Sequence, residues 1–431
     1  MKIYLILIFF PFMGYSQQWT LDQCIDTAIQ NNLSIKTNAV KGQIATYQLK
    51  GAKTNLLPSV NANATHGYNW GQTIDLFTNQ FATNRVMYDN FYLSSSVVLF
   101  AGLQNYYNIK TNNLLVQENE LDRLITERNV KIDVSSAFLQ VLLNKEIVEL
   151  GTKNIEKSTV QFERMHELIK ANQATQFDLL EIEAQLQLDR YYHTKAKNDL
   201  NYSKLLLQQL LNIETQDSFE VINSLTDSLI ISGYSDTSIA TFPELLKIEL
   251  NTQRQIYLLK SAKGRYYPSL NLNGALGSGY SQNNKVLNSN GEYTPRPFVE
   301  QINNNLYQSV VVTLSIPIFN KNMNRTQVKV KELELQSLVI DKQNEYNQLK
   351  QKLEQLSLDI SNLSDQLEAL EKAYQSALLN YNNFQIRYEN GDISFTQLIE
   401  NRNKLMLAES ELLQANYQLL FKQIVLGFYY P

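Results

Sequence analysis

Cysteine is nearly absent from the 431-residue chain: Cys24 stands alone, so no intrachain disulfide can form. Proline and glycine are scarce, with 8 and 15 copies, and neither occurs between Asn322 and Glu389. Without those breakers nothing local stops a helix there. The three histidines, His66, His166 and His193, are scattered with no carboxylate or cysteine at ligand spacing, which argues against a metal site. The net charge is -4 and no block of like charge occurs, so nothing points to nucleic acid or an anionic membrane surface. There is no glycine-rich phosphate loop and no nucleophile elbow. A catalytic triad assembled in space is not visible in a sequence, but nothing favours one, and the chain reads as a non-enzyme without cofactor. Beyond the N-terminus there is no run of about 18 apolar residues, which excludes a spanning helix.

What is abundant is Gln, Asn and Tyr, the last with 25 copies against 2 Trp. At the N-terminus, Lys2, the apolar run Ile3 to Met13 and Gly14-Tyr15-Ser16 make residues 1–16 a signal peptide. Cys24 falls inside an expected helix well past that cleavage site, so it reads as a packed thiol and not as a lipid-attachment residue. An exported chain with no spanning helix is periplasmic, secreted, or in the outer membrane as β-structure.

The period of the apolar pattern then marks the elements. Thr20-Leu21-Asp22-Gln23 is a capping box opening a helix to about Asn55. From about residue 58 to 70 the period becomes 2, with Val60, Ala62, Ala64, His66, Tyr68 and Trp70 on one face and Asn61, Asn63, Thr65, Gly67 and Asn69 on the other. After a polar loop, a second strand spans 91–100. Each has about the length of a tilted membrane strand, with Tyr68, Trp70, Tyr88, Phe91, Tyr92 and Phe100 at the ends as a girdle. A long helix follows over about 103–170, then a turn and a return helix to about Asn212. Residues 213–240 read as a linker or equatorial segment.

From 241 to 431 the order repeats. Thr241-Phe242-Pro243-Glu244 is a second capping box, Tyr267-Pro268-Ser269-Leu270 echoes Leu57-Pro58-Ser59-Val60, and strands fall at about 268–280 and 307–319. A long helix spans about 322–389. Its apolar steps of four and three, from Leu349 through Leu353, Leu356, Ile360, Leu363 and Leu367, form a heptad seam. As one helix it is about 100 Å long. Phe100 and Phe319 stand 219 residues apart, and at that offset Val134, Val141 and Met165 match Leu353, Ile360 and Phe384. The first repeat is thus 17–212 and the second 241–431. Two repeats supply four strands. Four cannot close a barrel, and an open edge in lipid leaves backbone groups unpaired at several kcal/mol each. Three copies give a twelve-stranded barrel, whereas two give eight strands, usually filled by side chains. The expected fold is therefore mainly α, a long coiled-coil helical barrel with a transmembrane β-barrel completed by a trimer.

This order of elements resembles the TolC-like outer membrane efflux proteins. The likeness covers nearly all of the mature chain: the Thr20-Leu21 helix with Ala28 and Asn31-Asn32, both Pro-Ser strand entries, Leu99-Phe100-Ala101-Gly102, and Tyr388-Glu389-Asn390-Gly391-Asp392-Ile393-Ser394 with Leu398. The resemblance implies a homotrimeric duct, a barrel in outer membrane lipid joined to a periplasmic helical tunnel. It implies docking with a periplasmic membrane-fusion adaptor and an inner-membrane efflux or ABC-type pump, for tripartite efflux or type I secretion. It places the adaptor-docking tips at Asn172 and Thr175 and at Gly391 and Ser394. It assigns Asp178 and Tyr388 to the lock of the closed tips and Glu400 to the pore constriction. Gln397, uncharged, takes the place of that constriction's second acid, and Ile393 the place of an arginine. Read locally, Gly391 is a left-handed helix cap, Ser394 caps the return helix, and Asp178 and Glu400 are solvated helix-face acids. An exported coiled-coil scaffold or adhesin without a pore is the alternative function, and the strands with Asn and Thr faces discriminate against it.

Overall fold

A computed structural model describes residues 18–75, 77–79, 81–82, 85–216, 218–223 and 236–429. The expected signal peptide lies outside them. In chain order, strand β1 (Gln18–Trp19) leads into helices α1 (Leu21–Asn31) and α2 (Leu33–Thr54). Strand β2 (Ser59–Asn69), the short pair β3 (Thr73–Ile74) and β4 (Phe81–Ala82), and strand β5 (Val86–Ala101) come next. Helices α3 (Gln104–Lys170) and α4 (Gln176–Leu211) form a hairpin, followed by β6 (Glu220–Val221) and helix α5 (Pro243–Gly264). The second set is β7 (Ser269–Ser281), β8 (Lys285–Leu287), β9 (Tyr293–Pro295), helix α6 (Phe298–Asn304), β10 (Tyr307–Ser315), and the hairpin of α7 (Met323–Glu389) and α8 (Phe395–Tyr429).

The Thr20 box forms as expected: Gln23 N–H donates to Thr20 Oγ1 at 3.3 Å, and Thr20 N–H donates back to Gln23 Oε1 at 3.1 Å. The helix it opens is not continuous to Asn55. Asn32 leaves the helical region at ψ 124°, and its carboxamide oxygen accepts from Ser34 and Ile35, starting α2 anew. The second box is displaced. A 3-10 turn occupies Asp236–Thr241 and α5 starts at Pro243, whose missing N–H costs nothing at that position. Glu244 then lies too early for the third helical position, and the Arg128 guanidinium takes its carboxylate.

The chain divides into two compact units, and each draws on both repeats. One holds residues 18–39, 121–245 and 344–429 and is a packed helix bundle. Its main core joins Leu21, Cys24, Ile25 and Ala28 to Val134, Phe138 and Val141 and to Leu207 and Leu211. The parallel pair β1 and β6 borders it, with the Trp19 and Phe219 rings 5.8 Å apart. Seam residues Leu349, Leu353 and Leu356 bury in a second core with Phe242 and Tyr429, the use expected of a heptad stripe. Burial pushes the Cys24 thiol up to about 12, which makes it an inert packed cysteine.

The other unit, residues 40–120 and 246–343, carries the sheet. Its four antiparallel strands run in the order β10-β7-β5-β2. β5 is longer than expected, 16 residues, because Val86 to Asn90 continue the ladder against Thr65 to Asn69. β10 ends at Ser315, two residues before Pro317, which has no N–H to donate. The loop expected between the third and fourth strands contains β8, β9 and α6.

Candidate functional site

The sheet sorts its side chains by pleat. Paired residues share a face, so the register groups Val60 and Ala62 with Leu93 and Ser95, Leu272 and Leu276, and Val310 and Val312. The opposite face carries Asn61, Asn63, Thr65, Asn90, Ser94, Ser96, Asn271, Asn273, Ser309 and Thr313. A register shift between Val98 and Phe100 lets Val97 and Phe100 both join the apolar face, against Leu272 and Leu270. One polar pair interrupts that face near the far strand ends, His66 Nδ1 to Asp89 Oδ1 at 2.7 Å. Tyr88 and Tyr92, expected in the girdle, fall on the polar face. There the Tyr88 ring lies over Gly67, where an added Cβ would meet it at 2.7 Å; Tyr307 lies over Gly277 likewise, at 2.5 Å.

The far end of the sheet is held by its loops. Asp75 is buried against Ser281, and the Gln301 carboxamide accepts from Ser281 N–H at 3.0 Å and donates to Ser281 O at 3.1 Å. Phe298 of α6 packs on Phe91 and Tyr280 at ring distances of 6.1 and 5.6 Å. The near edges differ: among the described residues, β2 and β10 each pair on one side only. They present bare rows of N–H and C=O groups, a template for another strand.

The hairpin tips belong to the bundle unit and repeat one design. Asn172 (φ 59°) and Gly391 (φ 80°) stand 219 residues apart and end α3 and α7 in the left-handed region. Gln173 N–H donates to Leu168 O at 2.8 Å and Asp392 N–H to Arg387 O at 2.9 Å, the six-to-one bond of a Schellman cap at each tip. Thr175 and Ser394 then cap the return helices. Asp178 Oδ2 accepts from Thr175 N–H at 2.9 Å, and Gln397 Oε1 accepts from Ser394 N–H at 3.2 Å, so both boxes are reciprocal.

The expected gating residues are thus placed as follows. Asp178 is half-buried and engaged in its own cap, and the Thr175 hydroxyl and amide hold its carboxyl below the ordinary aspartate value. Tyr388 is half-buried with its ring 5.8 Å from Phe395. Burial raises its phenol, Arg164 opposes the shift and Asp178 reinforces it, so Tyr388 and Asp178 share one electrostatic environment. Glu400 is exposed on α8. Ile393 packs into the tip core of Met165, Ile182, Tyr381, Phe395, Leu398 and Leu405. Between the hairpins, Thr396 Oγ1 donates to Glu181 Oε1 at 2.8 Å.

One cluster escapes pattern reading. Arg402 of α8 is 2% exposed and Asp189 of α4 is 3% exposed, and they meet at 2.6 Å. Arg402 Nη1 donates to Ser158 Oγ of α3 at 2.6 Å and Nη2 to Asn154 O at 3.3 Å. Gln185 donates to Asp189 Oδ1 at 2.9 Å. The signal was present: Asp189 follows Ile182 and Leu186 at steps of four and three, a charge in an apolar stripe.

A two-faced antiparallel sheet with bare edges, in one chain with two hairpins whose first helices have 67 residues each, is the fold of the outer membrane channels. The chain is similar to the outer membrane efflux proteins. Residues 235–427 match the family model described as outer membrane efflux protein. The cation efflux system protein CusC of Escherichia coli K12 is 21% identical over 404 residues, covering 91% of this chain and 82% of that one. The crystal structure of CusC superposes with a TM-score of 0.82 at 15% identity, over 95% of this chain and 91% of that one. The Campylobacter jejuni outer membrane channel CmeC gives 0.78 at 17% identity, over 94% and 84%. These structures share the fold. The protein is accordingly one of the outer membrane, with a periplasmic helical portion.

Proposed function

We propose that three copies of the chain close one barrel and form the export duct of a tripartite system. The observation that carries this is the pair of bare edges. Strand direction alternates across β2, β5, β7 and β10, so β10 of one copy meets β2 of the next antiparallel. Every backbone donor and acceptor at membrane depth is then paired. Three copies give an open ring of twelve strands, whereas two would give a side-chain-filled eight. The apolar face with Val60, Leu272 and Val312 meets lipid, and the Asn, Ser and Thr face lines water. Because the family is one of channel proteins, the chain works without chemistry of its own and draws its energy from an inner-membrane pump through a periplasmic adaptor.

The two capped tips, with Asn172, Thr175, Gly391 and Ser394, are the adaptor-docking ends. Asp178 and Tyr388 hold them closed, and Glu400 forms a three-fold acidic ring at the constriction. Such a ring favours cations, and CusC is itself named for cation efflux, so cations are the cargo class to test first. The decisive experiment is the mass and averaged electron micrograph of the detergent-extracted particle. A three-fold tube with one end in the detergent belt is expected. A water-soluble monomer or rod would overturn the duct and return the scaffold reading.

A further inference from the structure

The polar face of the sheet carries no Asp, Glu, Lys or Arg among its described strand residues, yet it carries aromatic rings. They gather on two glycines of β7. Gly277 and Gly279 share that face, about 7 Å apart along the strand. Tyr307 of β10 covers Gly277, and the Phe77 ring, from the loop between β3 and β4, covers Gly279. Tyr92 of β5 pairs with Gly277 from the other side. Tyr92 and Tyr307 remain 38% and 49% exposed. Covering a glycine explains the Tyr307 and Phe77 rings. It does not explain Tyr92, whose neighbours along β5 on this face are Asn90, Ser94 and Ser96.

A negative charge stands beside these rings. Asp75 is 5% exposed. Its Oδ1 accepts from Phe77 N–H at 2.9 Å and from Thr78 N–H at 3.1 Å, and its Oδ2 accepts from Ser281 Oγ, two residues beyond Gly279 in β7. The carboxylate thus fixes the turn that lays Phe77 on the strand, and among the described residues no Lys or Arg pairs with it. Aromatic faces attract cations, and an alkylammonium ion suits them better than a metal ion that holds its water tightly. The other half of the repeat lacks the set. Pro58 and Pro268 put the strand entries 210 residues apart, so Gly279 corresponds to Asn69, and at the offset of 219 Tyr92 corresponds to Val311.

We infer that Phe77, Tyr92 and Tyr307, set on Gly277 and Gly279 beside Asp75, form a binding site for a small organic ammonium ion on the lumenal wall of the barrel, near its outer mouth. The inference rests on the trimeric duct proposed above, which makes the polar face the lumen and gives each of the three copies one site. Every residue of the site comes from a single chain. Binding there is weak and reversible, as a conducting path requires of any station along it.

The test measures choline binding by saturation-transfer NMR to the full-length trimer in phosphatidylglycerol nanodiscs, which contain no choline, with empty discs as the baseline. Binding in the millimolar range is expected, and none of the neutral isostere in which carbon replaces the ammonium nitrogen. Equal binding of the isostere overturns the inference, because the rings would then offer only an apolar cleft. Tyr92→Leu/Tyr307→Leu is expected to weaken choline binding about tenfold, and Tyr92→Phe/Tyr307→Phe to stay within about twofold of wild type, since the ring faces remain. Unchanged affinity in an assembled leucine variant overturns the site. A loss seen only in Glu400→Ala overturns it as well, because the ion would then sit at the acidic constriction. Where the leucine variant does not assemble, Phe77→Leu, which alters a loop side chain and no strand, replaces it with an expected loss of about fivefold and the same criterion. Electron micrographs of the same preparation separate the two readings. Three-fold tubes that bind no choline overturn the site alone, whereas a preparation without tubes overturns the duct and the lumenal site with it.

Discussion

Asn172 and Gly391 occupy one and the same place in the two repeats, each ending a 67-residue helix with a left-handed backbone at a hairpin tip. The left-handed region costs an ordinary L-residue roughly 1–2 kcal/mol, a cost that Gly escapes and Asn reduces. Gly391→Ala is therefore expected to loosen the end of α7 by about 1 kcal/mol, while Asn172→Gly leaves the end of α3 intact. Hydrogen exchange of the last turn of each helix reads this directly. Equal protection in Gly391→Ala and wild type would show that the tip does not need the cap.

The tyrosine rings that cover Gly67 and Gly277 make a second pair of repeat-related features. A Val at position 67 would have to displace the Tyr88 ring, because its Cβ alone would lie 2.7 Å from it. Gly67→Val is expected to lower the yield of heat-resistant folded protein in gel electrophoresis, and Tyr88→Ala in the same chain to recover it. No loss in the single variant, or no recovery in the double, would mean that the ring is free to move aside.

The two tips should respond differently to acid. Thr175 lowers the Asp178 pKa in the folded chain. A lowered folded value means that the cap contributes its full stability above the ordinary aspartate pKa and loses it as pH falls through the lowered one. Gln397, its counterpart, does not titrate. The start of α4 is thus expected to fray in acid while the start of α8 holds. Hydrogen exchange as a function of pH checks this, and Asp178→Asn is expected to remove the pH dependence. Parallel fraying of both tips would point to a cause other than the cap.

Glu400 lies exposed one turn beyond the Gln397 cap. Replacing it with Ala is expected to weaken the cation preference of the pore and its block by divalent cations in a planar bilayer. Unchanged selectivity would remove Glu400 from the constriction.

Much of this architecture was legible in the residues. The 219-residue repeat, the Thr20 cap, the alternating faces at Val60 and Val310 and the uninterrupted run from Asn322 to Glu389 are consequences of local chemistry: periodicity, capping and the absence of breakers. Other features were invisible because they depend on partners distant in the chain. The Asn32 break is a local exception: its carboxamide takes the amides of Ser34 and Ile35 in place of a continuing helix, a choice the apolar period does not register. The shift at Leu99, which turns Phe100 to the apolar face, is set by β7. Tyr88 is an interface aromatic by pattern and a cover for Gly67 by register.

What the sequence determined alone is therefore the kind of object, since patterns of period two and three and a half commit each stretch to a strand or a seam. Only the tertiary structure decided which strand edges stay bare and that Arg402 finds Asp189 across 213 residues of chain. Those outcomes follow from packing and pairing between distant segments, where the cost of an unpaired backbone edge or an unpaired buried charge selects one arrangement from many that local chemistry allows.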